Sequence, residues 1–165
     1  MSGTPAAVTD AAAVIDAARE RGWSLATAES LTAGAVVARL VDVPGASDVV
    51  AGGAACYSYQ AKTRVLGVDA GLLEREGAVS SEVARRMAAG ARALYAADVA
   101  IATTGVAGPG PDERAVPAGT VFLAVDRGDA DPVVEELHLP GDRAAVRTAT
   151  VDAALTLLLH CLTGR

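Results

Sequence analysis

The run Ala28-Glu29-Ser30-Leu31-Thr32-Ala33-Gly34 constrains the fold of this chain more than any other stretch, because a strand pattern ends and a helix pattern begins inside it. Upstream, Trp23 to Ala28 alternates large or apolar residues with small polar ones, the period of a strand. Downstream, Ala33 to Val41 is nearly all Ala, Val, Leu and Gly, which suits a buried helix. The pattern predicts a helix beginning near Leu31 or Thr32. Such a terminus presents unpaired backbone N–H groups and the positive end of the helix dipole, and both favour an oxyanion or a phosphate. Ser30 beside it is either a nucleophile or simply the N-cap of that helix.

The same strand-then-helix order recurs along the chain. Thr9 or Asp10 can cap a helix in which Ala11, Val14, Ile15 and Ala18 share a face, with Gly22 as its stop. Val49 to Tyr59 reads as a buried strand whose glycines let another backbone approach closely. Gln60 to Leu66 reads as a short helix, Asp69 caps another, and Ser80 or Ser81 opens a longer one carrying Val83, Met87, Ala91 and Leu94 on one side. Val99 to Thr104 is a strand that runs into a Gly/Pro loop over 105–111, the kind of position where open α/β sheets hold ligands. Thr120 to Asp126 and Val133 to Leu139 pair as strands across a hairpin-like connection. A final helix over 143–162 has Val146, Ala149, Ala153 and Leu157 on its apolar face. This order predicts a single three-layer α/β/α domain with a mixed, mostly parallel sheet over residues 9–165, preceded by a flexible N-terminal tail at 1–8.

Composition narrows the function. Apolar residues make up 52% of the 165 and aromatics only 3%, so the core is built from small close-packed residues, and subunit association as a homo-oligomer is expected to add stability. A net charge of −6 argues against a broad cationic surface for nucleic acid or anionic lipid, leaving room only for a local basic pocket. Arg143 and Arg147 are spaced for one such helix face. Lys62 is the sole lysine in a chain that otherwise uses arginine, and lysine, unlike arginine, can lose its proton when buried. Cys56 and Cys161 lack CxxC spacing and read as free thiols, which points to a cytoplasmic setting. No signal peptide is evident, and the apolar runs look too short or too interrupted by charge to cross a bilayer. His138 and His160 have no third ligand at metal spacing, so neither a metal site nor a Ser-His-Asp triad is expected.

Amide hydrolysis needs a nucleophile, a group to remove its proton and donors for the developing oxyanion. Ser30 supplies the first. Tyr57 and Lys62 are candidates for the second: a desolvated neutral lysine, acting alone or through the tyrosine hydroxyl, can take the proton if burial lowers its pKa. Against these stand a core ring for Tyr57 and a solvated helix position for Lys62. The 105–110 loop has neither the Lys-Ser/Thr of a P-loop nor GxGxxG, yet its N–H groups can hold a phosphate, with Thr104 adding a hydroxyl.

In series, Thr-Ala-Glu-Ser-Leu-Thr-Ala-Gly (27–34), Asp-Val-Pro-Gly-Ala-Ser (42–47), Tyr-Ser-Tyr-Gln-Ala-Lys (57–62), Leu-Gly-Val (66–68), Gly-Ala-Val-Ser (77–80), Thr-Gly-Val-Ala-Gly-Pro (104–109), Gly-Thr-Val (119–121) and Gly-Asp-Arg (141–143) cover nearly the whole chain. Together they resemble the C-terminal domain of the competence/damage-inducible protein CinA, a family that includes stand-alone nicotinamide-nucleotide amidohydrolases. The resemblance implies deamidation of nicotinamide mononucleotide to nicotinic acid mononucleotide and ammonia in pyridine-nucleotide salvage, without metal or organic cofactor. It maps the family's serine, tyrosine and lysine onto Ser30, Tyr57 and Lys62. Substrate contacts are implied around Glu29, Thr32, Ala33, Gly34, Thr104, Gly105 and Gly108, with Arg143 as a phosphate partner. Three positions depart from the family pattern: Ala33 and Tyr59 replace a glycine and an asparagine, and Val116 stands where a lysine is usual. These departures motivate the rival expectation, a catalytically silent pyridine-nucleotide-binding or protein-interaction domain.

Overall fold

The computed structural model describes residues 11–164, so the tail expected at 1–8 and the Thr9 or Asp10 cap lie outside the described residues. Along the chain come α1 (Ala11–Arg21), β1 (Leu25–Glu29), α2 (Ala35–Val41), β2 (Val50–Ala55), α3 (Tyr59–Leu66), α4 (Ala70–Glu76), α5 (Ser81–Leu94), β3 (Val99–Gly105), β4 (Thr120–Asp126), β5 (Val133–His138) and α6 (Arg143–Thr163). The five strands form one sheet in the order β2-β1-β3-β4-β5. Strand β1 pairs parallel with β2 and β3, and β4 pairs antiparallel with β3 and β5, so β4 alone runs against the others. Because β1, β2 and β3 run parallel, the residues just past their carboxyl ends (Ser30, Cys56 and Val106) gather at one end of the sheet.

Side-chain size sorts the two faces. Leu25, Val99, Ile101, Val121, Leu123 and Val125 pack with α1, α2 and α6, whereas Ala26, Ala28, Ala100, Ala102 and Ala124 face α3 to α5. Each fully buried Leu, Ile or Val is worth about 1.5–3 kcal/mol, so the first face carries most of the hydrophobic stabilisation. The alanine face instead lets α5 lie close with its own Ala84, Ala88 and Ala91. The approach of α3 to α5 is tight enough that a Cβ on Gly90 would sit 2.0 Å from the Leu66 carbonyl oxygen. This is the three-layer α/β domain with a mixed sheet that the pattern predicts.

Four local expectations need correction. Helix α2 starts at Ala35, not at Leu31 or Thr32, because Ala33 (φ 51°) and Gly34 (φ 97°) both take left-handed conformations and close a turn first. Strand β2 is a half-exposed edge, and its glycines make room for side chains: a Cβ on Gly52 would strike the Tyr95 ring, and one on Gly53 would strike Thr27 Oγ1 and Val37. On α6 the buried positions are Val146, Thr150, Ala154, Leu158 and their neighbours, with Ala149 and Ala153 only half-buried beside them. That helix is also long and apolar enough to cross a bilayer by length and composition, contrary to expectation, but its buried residues pack on α1, β3 and β4 as a core helix does.

Candidate active site

Strand β1 delivers Ser30 to the carboxyl end of the sheet with its N–H donating to the Thr103 carbonyl of β3 (2.9 Å). Lys62 arrives from α3, whose N-cap Ser58 accepts the Ala61 N–H (3.0 Å) and so fixes where the first turn begins. The lysine points back into the protein and is fully buried. Its Nζ lies 2.9 Å from Ser30 Oγ, 2.9 Å from the Cys56 carbonyl oxygen and 3.2 Å from that of Tyr57. Burial lowers its pKa from 10.5 to about 8, against a smaller opposing effect of the Cys56 thiol. A neutral amine has two N–H donors and one lone pair. With the two carbonyls taking the donors, the lone pair is left for the Ser30 hydroxyl proton.

Ser30 is not the cap of α2: the N-cap position is held by Gly34, which has no side chain to accept from the helix. The donors of that helix terminus go to Glu29. Its Oε2 accepts from Gly34 N (2.9 Å), Val36 N (3.0 Å) and Thr32 Oγ1 (2.7 Å), and its Oε1 accepts from Val37 N (2.9 Å) and Thr27 Oγ1 (3.0 Å). The terminus expected to meet a ligand anion therefore already holds an internal one. Glu29 and Thr32, expected as substrate contacts, are buried with their side-chain oxygens engaged inside the protein, Thr32 Oγ1 also lying 2.8 Å from Thr103 Oγ1. Two amides in the turn remain available: among the described residues, neither the Leu31 nor the Thr32 N–H has an intramolecular acceptor. Both residues are buried, and an unpaired buried amide is costly enough to be uncommon.

A cavity of about 270 Å³ opens over Ser30. Tyr57 and Tyr59 wall one side, Ala78 and Val79 another, and Gly105 and Val106 the end of β3, while Asp112 and Glu113 come from the following loop. Gly105 is required there, since a Cβ would come within 2.8 Å of the Thr120 carbonyl oxygen. Tyr57 is largely exposed, and its hydroxyl accepts from Arg143 Nη2 (3.1 Å), with no bond to Ser30 or Lys62. The tyrosine is a wall of the cavity, and the lysine reaches the serine directly. Arg143, at the start of α6, also donates to the Gly108 carbonyl (2.7 Å). Thr104 is buried and its hydroxyl donates to the Ala78 carbonyl (2.6 Å), which ties down the loop before α5. The histidines lie elsewhere: His138 is exposed on β5 beside Glu136, and His160 is near the end of α6. Among the described residues no three His, Cys, Asp or Glu side chains gather to hold a metal ion.

The family profile described as the CinA C-terminal domain matches residues 8–162. The chain belongs to the CinA C-terminal domain family. It is 49% identical over 158 residues to a CinA-like protein of Mycolicibacterium vanbaalenii, covering 94% of this chain and 37% of that protein. It is 46% identical to a putative competence-damage inducible protein of Geobacillus kaustophilus, covering 87% and 34%. The chain thus spans about a third of the length of these relatives. Among solved structures, the competence/damage inducible protein CihA of Agrobacterium tumefaciens superposes with a TM-score of 0.89 at 35% identity, over 98% of this chain and 99% of that one. A CinA superfamily protein of Klebsiella pneumoniae gives the same TM-score at 35% identity over 94% and 96%.

The three departures from the CinA pattern fall in different places. Ala33 is exposed and does not line the cavity over Ser30, so its methyl group does not crowd that space. Tyr59 does line it, and its hydroxyl accepts the Ala78 N–H (3.2 Å) and donates to Glu113 (2.9 Å). Val116 is half-buried, with its N–H bonded to Asp112 Oδ1 (2.9 Å). The sequence reading missed Asp112 and Glu113, which no spacing rule singles out, and the structural part of Arg147, which was visible only as a helix-face neighbour of Arg143.

Proposed function

We propose that this chain is an amidohydrolase that deamidates nicotinamide mononucleotide, with Ser30 as nucleophile and Lys62 as its base. The observation that carries the reading is the 2.9 Å contact between Lys62 Nζ and Ser30 Oγ in a buried setting that lowers the pKa of the amine to about 8. Neutral Lys62 takes the hydroxyl proton as Ser30 Oγ bonds to the carboxamide carbon. The tetrahedral oxyanion is met by the Leu31 and Thr32 N–H groups, and the Lys62 ammonium then protonates the departing nitrogen, releasing ammonia. Water, deprotonated by the same lysine, opens the resulting ester and gives the free acid. Arg143, bonded to the hydroxyl of the wall residue Tyr57, supplies a cation for the phosphate.

Purified protein supplied with nicotinamide mononucleotide and no added metal should release ammonia, and Ser30→Ala should abolish that release with an unchanged melting temperature. Undiminished turnover by Ser30→Ala removes the serine from the mechanism. The rival, a silent pyridine-nucleotide-binding domain, predicts calorimetric binding with no ammonia. The buried serine–lysine pair weighs against it, since binding alone gives no reason to hold a lysine out of water.

A further inference from the structure

Arg147, half-buried on α6, reaches across to the turn that follows Ser30. It stands one helical turn after Arg143 on α6, and its Nε donates to the Leu31 carbonyl (2.8 Å) and its Nη2 to the Thr32 carbonyl (3.3 Å). Among the described residues no carboxylate pairs with it, and Asp152, further along α6, pairs with Arg39 (3.4 Å). The guanidinium charge therefore rests on two peptide carbonyls.

Those carbonyls belong to particular amides. The Leu31 carbonyl shares its peptide unit with the Thr32 N–H, one of the two amides without an internal acceptor. In a trans peptide the N–H points opposite to the C=O. A cation held on the oxygen draws electron density toward that end, making the N–H a stronger donor, and fixes the plane in which it can point. The preceding unit is held similarly, its Ser30 carbonyl accepting the Ala33 N–H (3.1 Å) while the Leu31 N–H stays free. Both free donors after the nucleophile are thus anchored through their carbonyl ends, one by the turn itself and one by Arg147.

We propose that Arg147 is a positioning residue for amide hydrolysis, orienting and polarising the Thr32 N–H that stabilises the oxyanion. This rests on the amidohydrolase reading. Donors aimed at charge that develops only in the transition state raise kcat and leave ground-state binding almost untouched. Arg147 also lines an open groove of about 260 Å³ between α2 and α6, so a small cation can reach the place its head group occupies.

The test is steady-state ammonia release by wild type, Arg147→Ala and Arg147→Lys, together with binding of two probes. One probe is the product acid mononucleotide; the other is the 3-carbaldehyde analogue of the substrate, whose carbonyl carbon adds the Ser30 hydroxyl to form a tetrahedral hemiacetal. For Arg147→Ala, kcat should fall about 10- to 100-fold with KM changed less than about threefold. Affinity for the aldehyde should fall in step with kcat, affinity for the product acid should hold, and added guanidinium chloride at low millimolar concentration should restore part of the rate. Arg147→Lys, which keeps a cation and the packing of the stem, should lie between the two and serves as the test if Arg147→Ala does not fold. The proposal is overturned if kcat is unchanged, if KM alone rises, or if both probes lose affinity equally. A wild-type protein that releases no ammonia sinks the amidohydrolase reading itself, an outcome distinct from an active wild type indifferent to Arg147.

Discussion

The amine of Lys62 and the hydroxyl of Ser30 meet at 2.9 Å between the end of β1 and the first turn of α3, with the lysine wholly withdrawn from water. An ammonium in such a place is held at a cost, and the cost is the source of its reactivity. The same desolvation that brings its pKa to about 8 makes the neutral, proton-accepting form accessible at ordinary pH.

The pH profile should show it directly. With neutral Lys62 as the base, kcat/KM rises about tenfold per pH unit below a midpoint near 8 and levels off above it. Lys62→Met should lose about 10²- to 10⁴-fold and lose the rising limb as well. Lys62→Arg should be no better, since a guanidinium does not deprotonate in this range. A profile that is flat from pH 6.5 to 9.5 would take the lysine out of the mechanism.

Stability should move with pH in the same window, in a direction fixed by the sign of the shift. Below about pH 8 both folded and unfolded chains carry the charged amine, so the full burial penalty is present. Between about 8 and 10.5 the unfolded chain binds the proton and the folded chain does not, so the contribution of Lys62 to stability rises with pH. The gap corresponds to roughly 3 kcal/mol. Relative to wild type, Lys62→Met should therefore be most favourable near pH 7 and lose about 3 kcal/mol of that relative advantage by pH 10.5, read as the difference between urea unfolding curves.

Glu29 gives a structural prediction independent of catalysis. Its carboxylate accepts five hydrogen bonds, three of them from backbone N–H groups of the α2 terminus and the turn before it. Glu29→Gln keeps the size but turns an NH₂ group toward those donors and removes the charge that answers the helix dipole. The expected loss is about 3 kcal/mol, seen as a melting temperature lower by roughly 6–12 °C. Glu29→Gln that melts with wild type would show that the carboxylate is not what holds the turn.

Ala33 predicts a smaller effect of opposite sign. At φ 51° its Cβ is in the left-handed region, which costs about 1–2 kcal/mol for an L-residue, and glycine would relieve this while adding about 0.5–1 kcal/mol of unfolded-state entropy. Ala33→Gly should be neutral to slightly stabilising, and Ala33→Val clearly destabilising, by thermal melts. Because Ala33 lies outside the cavity lining, Ala33→Gly should leave KM unchanged.

What the sequence showed and hid follows from which interactions are local. The strand-to-helix hand-over at Ser30, the strands β3 and β4, and the caps Asp69 and Ser80 are written in short-range periodicity and turn chemistry. The solitary lysine was legible because an arginine-rich background makes a retained lysine informative. The inward turn of Glu29 was not, since a carboxylate beside a serine reads equally well as a ligand contact; only the left-handed pair Ala33–Gly34 folds the α2 amides back onto it. Nor could spacing tell that Tyr57 turns outward to Arg143 while Lys62, five residues on, turns inward. That choice depends on α6, more than eighty residues further along the chain, coming to rest against the same loop.

Arg143 separates two reasons for a cation to stand beside this cavity. It is exposed and braces the wall through the Tyr57 hydroxyl and the Gly108 carbonyl, yet a guanidinium has five N–H donors, and these two contacts leave others for a phosphate. If phosphate recognition is its part, Arg143→Ala should raise KM for nicotinamide mononucleotide about tenfold, the value of one charge-assisted hydrogen bond near solvent, with kcat nearly unchanged. The corresponding nucleoside, which has no phosphate, should be turned over equally by wild type and Arg143→Ala. If the residue only props Tyr57, both compounds should suffer alike. Assaying the pair side by side at two salt concentrations decides between them, because the phosphate contact alone weakens as ionic strength rises.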